Sequence, residues 1–280
     1  MIVATSPEEW NAWLERGACV LVPTMGALHA GHAALVRLGA QLARERGLAA
    51  GCVATVFVNP TQFNEKSDFE RYPRTLDADA ALCAEAGASM VVAPAPGHVY
   101  PPGRVVPTPA LPRVATAPGL EDAHRPGHFA GVCQVVSRLF EMFPCAAAVF
   151  GEKDWQQLQV VRAMTHDLKA EIEIVPGATI READGLAMSS RNRFLSDAER
   201  AAGRAIRAAL DAARAERDPH AAEARMAGVL RDAGLEIDYA VVRDAETLER
   251  LDPGSGRSGR ALITARAGSV RLLDNDAWPA

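Results

Sequence analysis

Two histidines three residues apart, His29-Ala-Gly-His32, are the residues here whose types and spacing best suit chemistry. On one helical turn that spacing puts both imidazoles on one side. An imidazole donates to a phosphate oxygen, and it carries charge when an anion raises its pKa. The pair therefore suits a polyphosphate, above all the charge that builds on a reacting phosphorus. A glycine-rich turn with two surface histidines is the plain alternative. A zinc site is a second, although neither Cys nor an acidic partner stands at ligand spacing nearby. The Gly-x4-Gly-Lys pattern of a phosphate loop is absent.

The elements that must position the pair are legible around it. Cys19 to Val22 reads as a buried strand, with Pro23 marking its end. Gly26 and Gly31 let the backbone turn and let a ligand come close. Leu35, Leu38 and Leu42 recur at helical spacing, and the helix closes at Arg44-Glu-Arg-Gly47. A strand handing over to a helix is where open α/β sheets bind ligands, and a helix N-terminus favours phosphate.

The 280 residues are 49% hydrophobic with a net charge of −5. That supports a proper core and argues against general affinity for nucleic acid or anionic membrane. No run reaches the ~20 apolar residues of a membrane helix, and the first ten residues lack the basic and apolar regions of a signal peptide. The five cysteines, at positions 19, 52, 83, 133 and 145, form no C-x-x-C pair and sit mostly in apolar surroundings. They read as reduced, buried thiols of a cytoplasmic protein.

Further along, Ser6-Pro7-Glu8-Glu9 starts a helix that ends near Gly17. Ala49 to Asn59 reads as a central parallel strand, delivering Asn59 and Gln62 to the presumed crevice. Carboxamides both donate and accept, which suits a substrate bearing hydroxyl and carboxylate groups. Glu65 to Arg74 reads as a charged, solvated loop, followed by a helix over Leu76–Ala86 and a strand over Met90–Ala93. Residues 94–119 form a long Pro- and Gly-rich loop, with a short strand expected within Val105–Val114. Arg125 and His128 precede a helix over Val132–Phe143. A strand over Ala146–Phe150 leads to Gly151-Glu-Lys-Asp154 and a helix over Trp155–Leu168, with Gln157 in its first turn. Glu171 to Val175 is the last strand, and Pro176-Gly177 breaks the chain. Met188-Ser-Ser-Arg191 offers two hydroxyls and a guanidinium to phosphate, or else a serine-capped helix start, for which Ser196 is the better candidate. Helices over 196–216 and 220–233, strands over 237–243 and 261–267, a possible third over 270–273, and a loop over 252–259 complete the reading.

The string Pro23-Thr-Met-Gly-Ala-Leu-His-Ala-Gly-His32 resembles the H-x-G-H signature of the nucleotidyltransferase superfamily, and with Pro-Thr-Met-Gly in front it resembles the pantothenate synthetases. Val58-Asn-Pro-Thr-Gln-Phe63, Arg125-Pro-Gly-His-Phe-Ala-Gly-Val132, Phe150-Gly-Glu-Lys-Asp-Trp-Gln-Gln157 and Met188-Ser-Ser-Arg191 match that family in the same order. The last is similar to K-M-S-K-S, with Arg191 where Lys is common.

The resemblance implies an α/β fold: a Rossmann-like parallel-sheet domain over 1–176 and a smaller α+β C-terminal lid domain over 177–280. It implies an ATP-dependent ligase joining (R)-pantoate to β-alanine through a pantoyl adenylate, with Mg²⁺ on the ATP phosphates and no protein cage for it. His29, His32, Lys153, Ser189, Ser190 and Arg191 are the implied catalytic residues. ATP would also contact Met25, Gly26 and Gly31 on the first turn, Gly151, Glu152 and Asp154 on the second, and Ile180 and Met188 near the last motif. Pantoate would meet Gln62, Gln157, Pro23, Thr24, Met25 and Val132, and β-alanine would meet Gln62. Tyr72 would stand near the site, and Arg125 would shape the pocket. The 94–119 loop would join a homodimer interface. Gln134, Arg138 and Trp155 depart from the family pattern and are expected to be neutral. Another nucleotidyltransferase, such as a cytidylyltransferase, or a non-catalytic nucleotide-binding regulator are the competing readings. Gln62 and Gln157 argue against the first, and the retained charged groups argue against the second.

Overall fold

The computed structural model describes residues 1–63 and 66–279, with the side chains of 66–68 outside the description. In chain order the named elements are β1 (Ile2–Ala4), α1 (Pro7–Leu14), β2 (Cys19–Thr24), α2 (Ala30–Glu45), β3 (Cys52–Val56), α3 (Lys66–Arg71), α4 (Leu76–Glu85), β4 (Met90–Val92), α5 (Pro96–Val99), α6 (Glu121–His124), α7 (His128–Met142), β5 (Cys145–Gly151), α8 (Trp155–Asp167) and β6 (Glu173–Gly177). Then come α9 (Asp197–Gly203), α10 (Ala205–Ala213), α11 (Pro219–Asp232), β7 (Glu236–Asp244), β8 (Gly259–Ala267) and β9 (Val270–Trp278).

The first six strands form one parallel sheet in the order β1-β4-β3-β2-β5-β6. Strand alternation splits its side chains between two cores. Val20 and Val22 pack with Ala33, Val36 and Ala40 of α2 on one face. Cys19 and Leu21 pack with Trp10, Val132 and Leu158 on the other. The chain leaves β2 toward β3 and later returns to β2's other side as β5. The crevice of this sheet therefore opens at the carboxyl ends of β2 and β5. The last three strands make a separate antiparallel sheet, β7-β8-β9, whose core with α10 and α11 includes Leu210, Met226 and Ile263.

Several expectations change. Pro23 does not end β2: it lies inside the strand, in register with Thr55. The Val20 N–H bonds to Gly51 on the β3 side, so by alternation position 23 faces β5, whose pairing with β2 stops at Leu21. The missing proline donor therefore falls where no ladder exists. Pro176 and Gly177 likewise continue β6, in register with Phe150 and Gly151, because β6 is an edge strand. The strand expected within Val105–Val114 is absent, and Arg113–Ala115 is a short helical turn. Pro107, Pro109 and Pro112 remove three ladder donors from that segment. Glu65, the start of the expected charged loop, lies outside the described residues, and from Lys66 the chain is helical. The single helix expected over 196–216 is two, meeting at Arg204. β1 is an addition: three residues, two exposed and one buried, carry no readable period.

Candidate active site

The β2–α2 turn makes His29 the N-cap of α2. Its Nδ1 accepts the Gly31 N–H at 3.2 Å, and Nδ1 of His32 accepts the His29 N–H at 3.3 Å. The two rings lie 4.1 Å apart between centroids, tilted by 40°. Because each Nδ1 accepts from backbone, each neutral ring carries its proton on Nε2. Burial, and then the neighbouring Lys153, push the His29 pKa down; burial and His29 push that of His32 down to about 3. Both rings are thus held neutral in this structure, each with its proton on Nε2. Gly31 is required by close packing: a Cβ there would lie 2.9 Å from the His29 ring.

A second group forms where β3 ends. Asn59 is 1% exposed; its Oδ1 accepts from the Tyr100 hydroxyl at 2.8 Å, and its Nδ2 donates to the Gly131 carbonyl at 3.2 Å. A Cβ on Gly131 would run into the Thr61 carbonyl oxygen, so only glycine lets α7 dock on this turn. Docking brings His128 to Gln62, whose backbone carbonyl lies 3.2 Å from Nδ1, while Nε2 faces Arg125 at 3.1 Å. An arginine only donates, so Nε2 accepts and Nδ1 carries the proton. Burial and then Arg125 lower the His128 pKa to about 4. Asn59 is therefore spent on the scaffold, and Gln62, three residues on, is buried.

The Gly151–Asp154 turn is held from outside by β9. Asn275 Nδ2 donates to the carbonyls of Glu152 and Lys153 at 3.0 and 2.8 Å. A small cavity here is lined by Arg125, His128, Lys153, Asp154 and Gln157 from the first sheet's side and by Asp274 and Asn275 from the second. Desolvation works to raise the Asp154 pKa, yet Lys153, Arg125 and Arg191 outweigh it and hold the carboxyl below its ordinary range. His29 and His32 also feel the charges of Lys153 and Asp154, although neither ring lines this cavity.

The late motif closes the site. The Gly31 N–H donates to Sδ of Met188 at 3.2 Å, and Ser189 Oγ accepts the Arg191 N–H at 3.3 Å. Burial raises the pKa of Tyr72, and Arg191 and Ser190 both act to lower it; the Tyr72 hydroxyl reaches the Gly26 carbonyl at 3.5 Å. Ile180, 36% exposed, accepts the Met188 N–H at 2.9 Å through its carbonyl. Other named residues stand apart. Val132 is 1% exposed, inside the core. The Thr24 hydroxyl is occupied by the Thr55 carbonyl at 2.6 Å. Met25 and Gly26 line a different, roomier cavity with Phe57, Arg74 and Asp79. Pro23 is half-buried in β2.

Several positioning groups were invisible in sequence. Glu121 is buried and receives Arg271 of β9 through both oxygens at 2.7 Å, plus the Tyr239 hydroxyl at 2.8 Å. Arg181, in the hairpin leading to Met188, grips Asp274 at 2.6 and 3.1 Å. Two departures from the family pattern act as anchors. Gln134 donates to the Val106 carbonyl at 2.8 Å, pinning the long loop. Trp155 donates to the Ala245 carbonyl at 2.7 Å and lies under Arg260, whose guanidinium is 3.6 Å from the ring centroid.

Residues 3–277 match the sequence profile of the family described as Pantoate-beta-alanine ligase. A pantothenate synthetase of Rubrobacter xylanophilus is 48% identical over 279 residues, covering 95% of this chain and 94% of its own. The crystal structure of pantothenate synthetase from Thermus thermophilus superposes with a TM-score of 0.90 at 39% identity, covering all of both chains. The pantoate-beta-alanine ligase of Francisella tularensis, solved with beta-gamma ATP and beta-alanine, superposes with a TM-score of 0.78 at 26% identity, covering 99% of this chain and 97% of its own.

Proposed function

This chain belongs to the pantoate–β-alanine ligase family, and from that membership we propose how its residues divide the work. The enzyme condenses (R)-pantoate with β-alanine at the expense of ATP, through a pantoyl adenylate, releasing AMP and pyrophosphate. A free carboxylate resists attack by an amine, because its carbon is shielded by negative charge and oxide leaves poorly. Adenylation removes both obstacles. The pantoate carboxylate attacks the α-phosphorus in line and pyrophosphate departs. The β-alanine amine then attacks the acyl carbon, AMP leaves, and the amine proton is lost to solvent. No covalent enzyme intermediate is required.

We assign the Nε2–H groups of His29 and His32 to the triphosphate, where they meet growing charge without carrying a proton to lose. Lys153, Ser189, Ser190 and Arg191 supply further donors to the same oxygens. Gly31 and Met188 bring the two motifs into contact, and Ile180, Gly151, Glu152 and Asp154 complete the nucleotide's surroundings. Gln62 and Gln157 orient pantoate, and Gln62 remains in place for β-alanine. Among the described residues no three His, Cys, Asp or Glu side chains converge as a ligand set. Mg²⁺ would come in on the ATP phosphates, a reading supported by the Asp154 carboxylate held ionised in the 151–154 turn. When bound, that ion neutralises phosphate charge.

We further propose a boundary at 176/177, with residues 177–280 as a lid, a reading supported by the separate core of the second sheet. A homodimer through the 94–119 loop is supported by Val105, 87% exposed, and Leu111. A cytoplasmic location is supported by five buried, unpaired thiols; no helix among the described residues is long and apolar enough to cross a membrane. The observation that carries the site assignment is the direct contact between the two signature motifs at Gly31 and Met188. The test is exchange of labelled pyrophosphate into ATP. Exchange with pantoate alone, and net pyrophosphate release only when β-alanine is added, is the expected result; exchange independent of pantoate overturns the mechanism.

A further inference from the structure

In the turn between β2 and His29, Ala27 takes a φ of +51°. That is left-handed backbone, which a residue with a Cβ avoids unless something holds it there. One buried side chain from α4 meets the turn. Asp79, 2% exposed, accepts the Ala27 N–H on Oδ2 at 3.1 Å and the Leu28 N–H on Oδ1 at 2.8 Å. The Thr75 hydroxyl donates to the same Oδ1 at 3.2 Å. Thr75 is the N-cap residue of α4, yet its side chain makes no cap hydrogen bond; the hydroxyl serves Asp79 instead.

Successive N–H groups of a turn make an anion-binding hollow. Here the protein's own carboxylate fills it. A phosphate arriving at this loop is left the first turn of α2 and the two imidazoles, one residue further on. The clamp ends at Leu28, and His29 begins the helix. We propose that Asp79 is a positioning residue for the triphosphate: it locks Ala27 and Leu28 so that His29 enters α2 as its cap, with Nε2–H toward the crevice. This inference rests on the assignment of His29 and His32 to ATP.

The experiment compares Asp79→Asn, Thr75→Val, and Asp79→Asn combined with Ala27→Gly in pantoate-dependent pyrophosphate exchange. An amide has one acceptor oxygen, so Asp79→Asn turns an NH₂ group toward one of the two N–H donors. The exchange kcat is expected to fall about 10- to 100-fold, the size expected when a reacting group is displaced slightly. KM for β-alanine, which enters after adenylation, is expected to hold. Adding Ala27→Gly restores much of the lost rate, because glycine keeps a positive φ without a clamp; a purely stabilising role gives no such recovery. Thr75→Val shows a smaller loss in the same direction and decides the matter alone if Asp79→Asn does not fold. Exchange at the parental rate in the folded variants overturns the proposal, as does a loss that Ala27→Gly leaves untouched. A parent enzyme without pantoate-dependent exchange instead sinks the underlying assignment, so the two failures are distinguishable.

Discussion

Gly31 and Met188 lie 157 residues apart in the chain, and the N–H of the first donates to the sulfur of the second at 3.2 Å. This one bond joins the histidine turn at the end of β2 to the serine–arginine segment that follows β6. The same N–H is shared with Nδ1 of His29 at 3.2 Å, so the sulfur sits directly against the cap of α2. Met188→Leu keeps the apolar volume and removes the acceptor. We expect a changed KM for ATP with little change in thermal midpoint, read from steady-state kinetics and calorimetry on the same preparation.

His32→Ala removes one fixed Nε2–H donor. Loss of a donor of this kind costs about 3 kcal/mol in barrier, on the order of a hundredfold in rate. Pantoate-dependent exchange should fall by that amount while circular dichroism stays unchanged. Near-normal exchange contradicts the role given to this ring.

Gln62→Ala and Gln157→Ala should act on pantoate. Each is expected to raise KM for pantoate more than it lowers kcat, the signature of a group that binds ground state and transition state alike. The Gln62 backbone carbonyl that meets His128 survives the truncation, so the pocket's frame is retained. A fall in kcat at unchanged KM would move these residues from binding to chemistry.

Glu121 is the buried carboxylate on which Arg271 and Tyr239 of the second sheet converge. Desolvation works to raise its pKa, but Arg271 outweighs it, and the carboxyl stays ionised. Glu121→Ala leaves Arg271 with Asp238 alone, 2.6 Å away, takes the acceptor from the Tyr239 hydroxyl, and should cost about 1–3 kcal/mol in urea unfolding. A loss below about 1 kcal/mol would show that the pair behaves as an exposed one.

His32 and His128 are neutral in the fold, with pKa values lowered from 6.5 to about 3 and about 4. The unfolded chain binds a proton at each as pH falls through 6.5, and the folded chain does not until much lower. Their contribution is therefore complete above the unfolded pKa and is lost as pH drops toward 4. Each adds a slope of about 1.4 kcal/mol per pH unit within that window. His128→Gln should flatten the dependence of unfolding free energy on pH by one such increment. An unchanged slope would mean that His128 is protonated in the fold.

Local patterns were legible where the signal is dense. Cys19 to Val22 is an unbroken apolar run, and it is the middle of β2. Leu35, Leu38 and Leu42 follow a helical period, and α2 is there. The prolines misled, because a missing N–H matters only if a neighbour strand waits for it; Pro23 and Pro176 both face places where none does. The role of Gln134 as an anchor was hidden for a similar reason. Its partner, Val106, lies 28 residues away in an aperiodic loop.

From the order of residues alone came the kinds of chemistry available: two imidazoles at a helix start, carboxamides and a lysine after strands, and a late serine–arginine cluster. These are properties of side-chain type and of spacing within a few residues. Tertiary structure decided which of them meet, and in what state. That the histidines are neutral with the proton on Nε2 depends on burial and on backbone donors at Gly31 and His29. That Asp79 guards their turn depends on α4 lying across it, 52 residues on. Protonation and contact are set by what surrounds an atom in space, and distant chain supplies most of those surroundings.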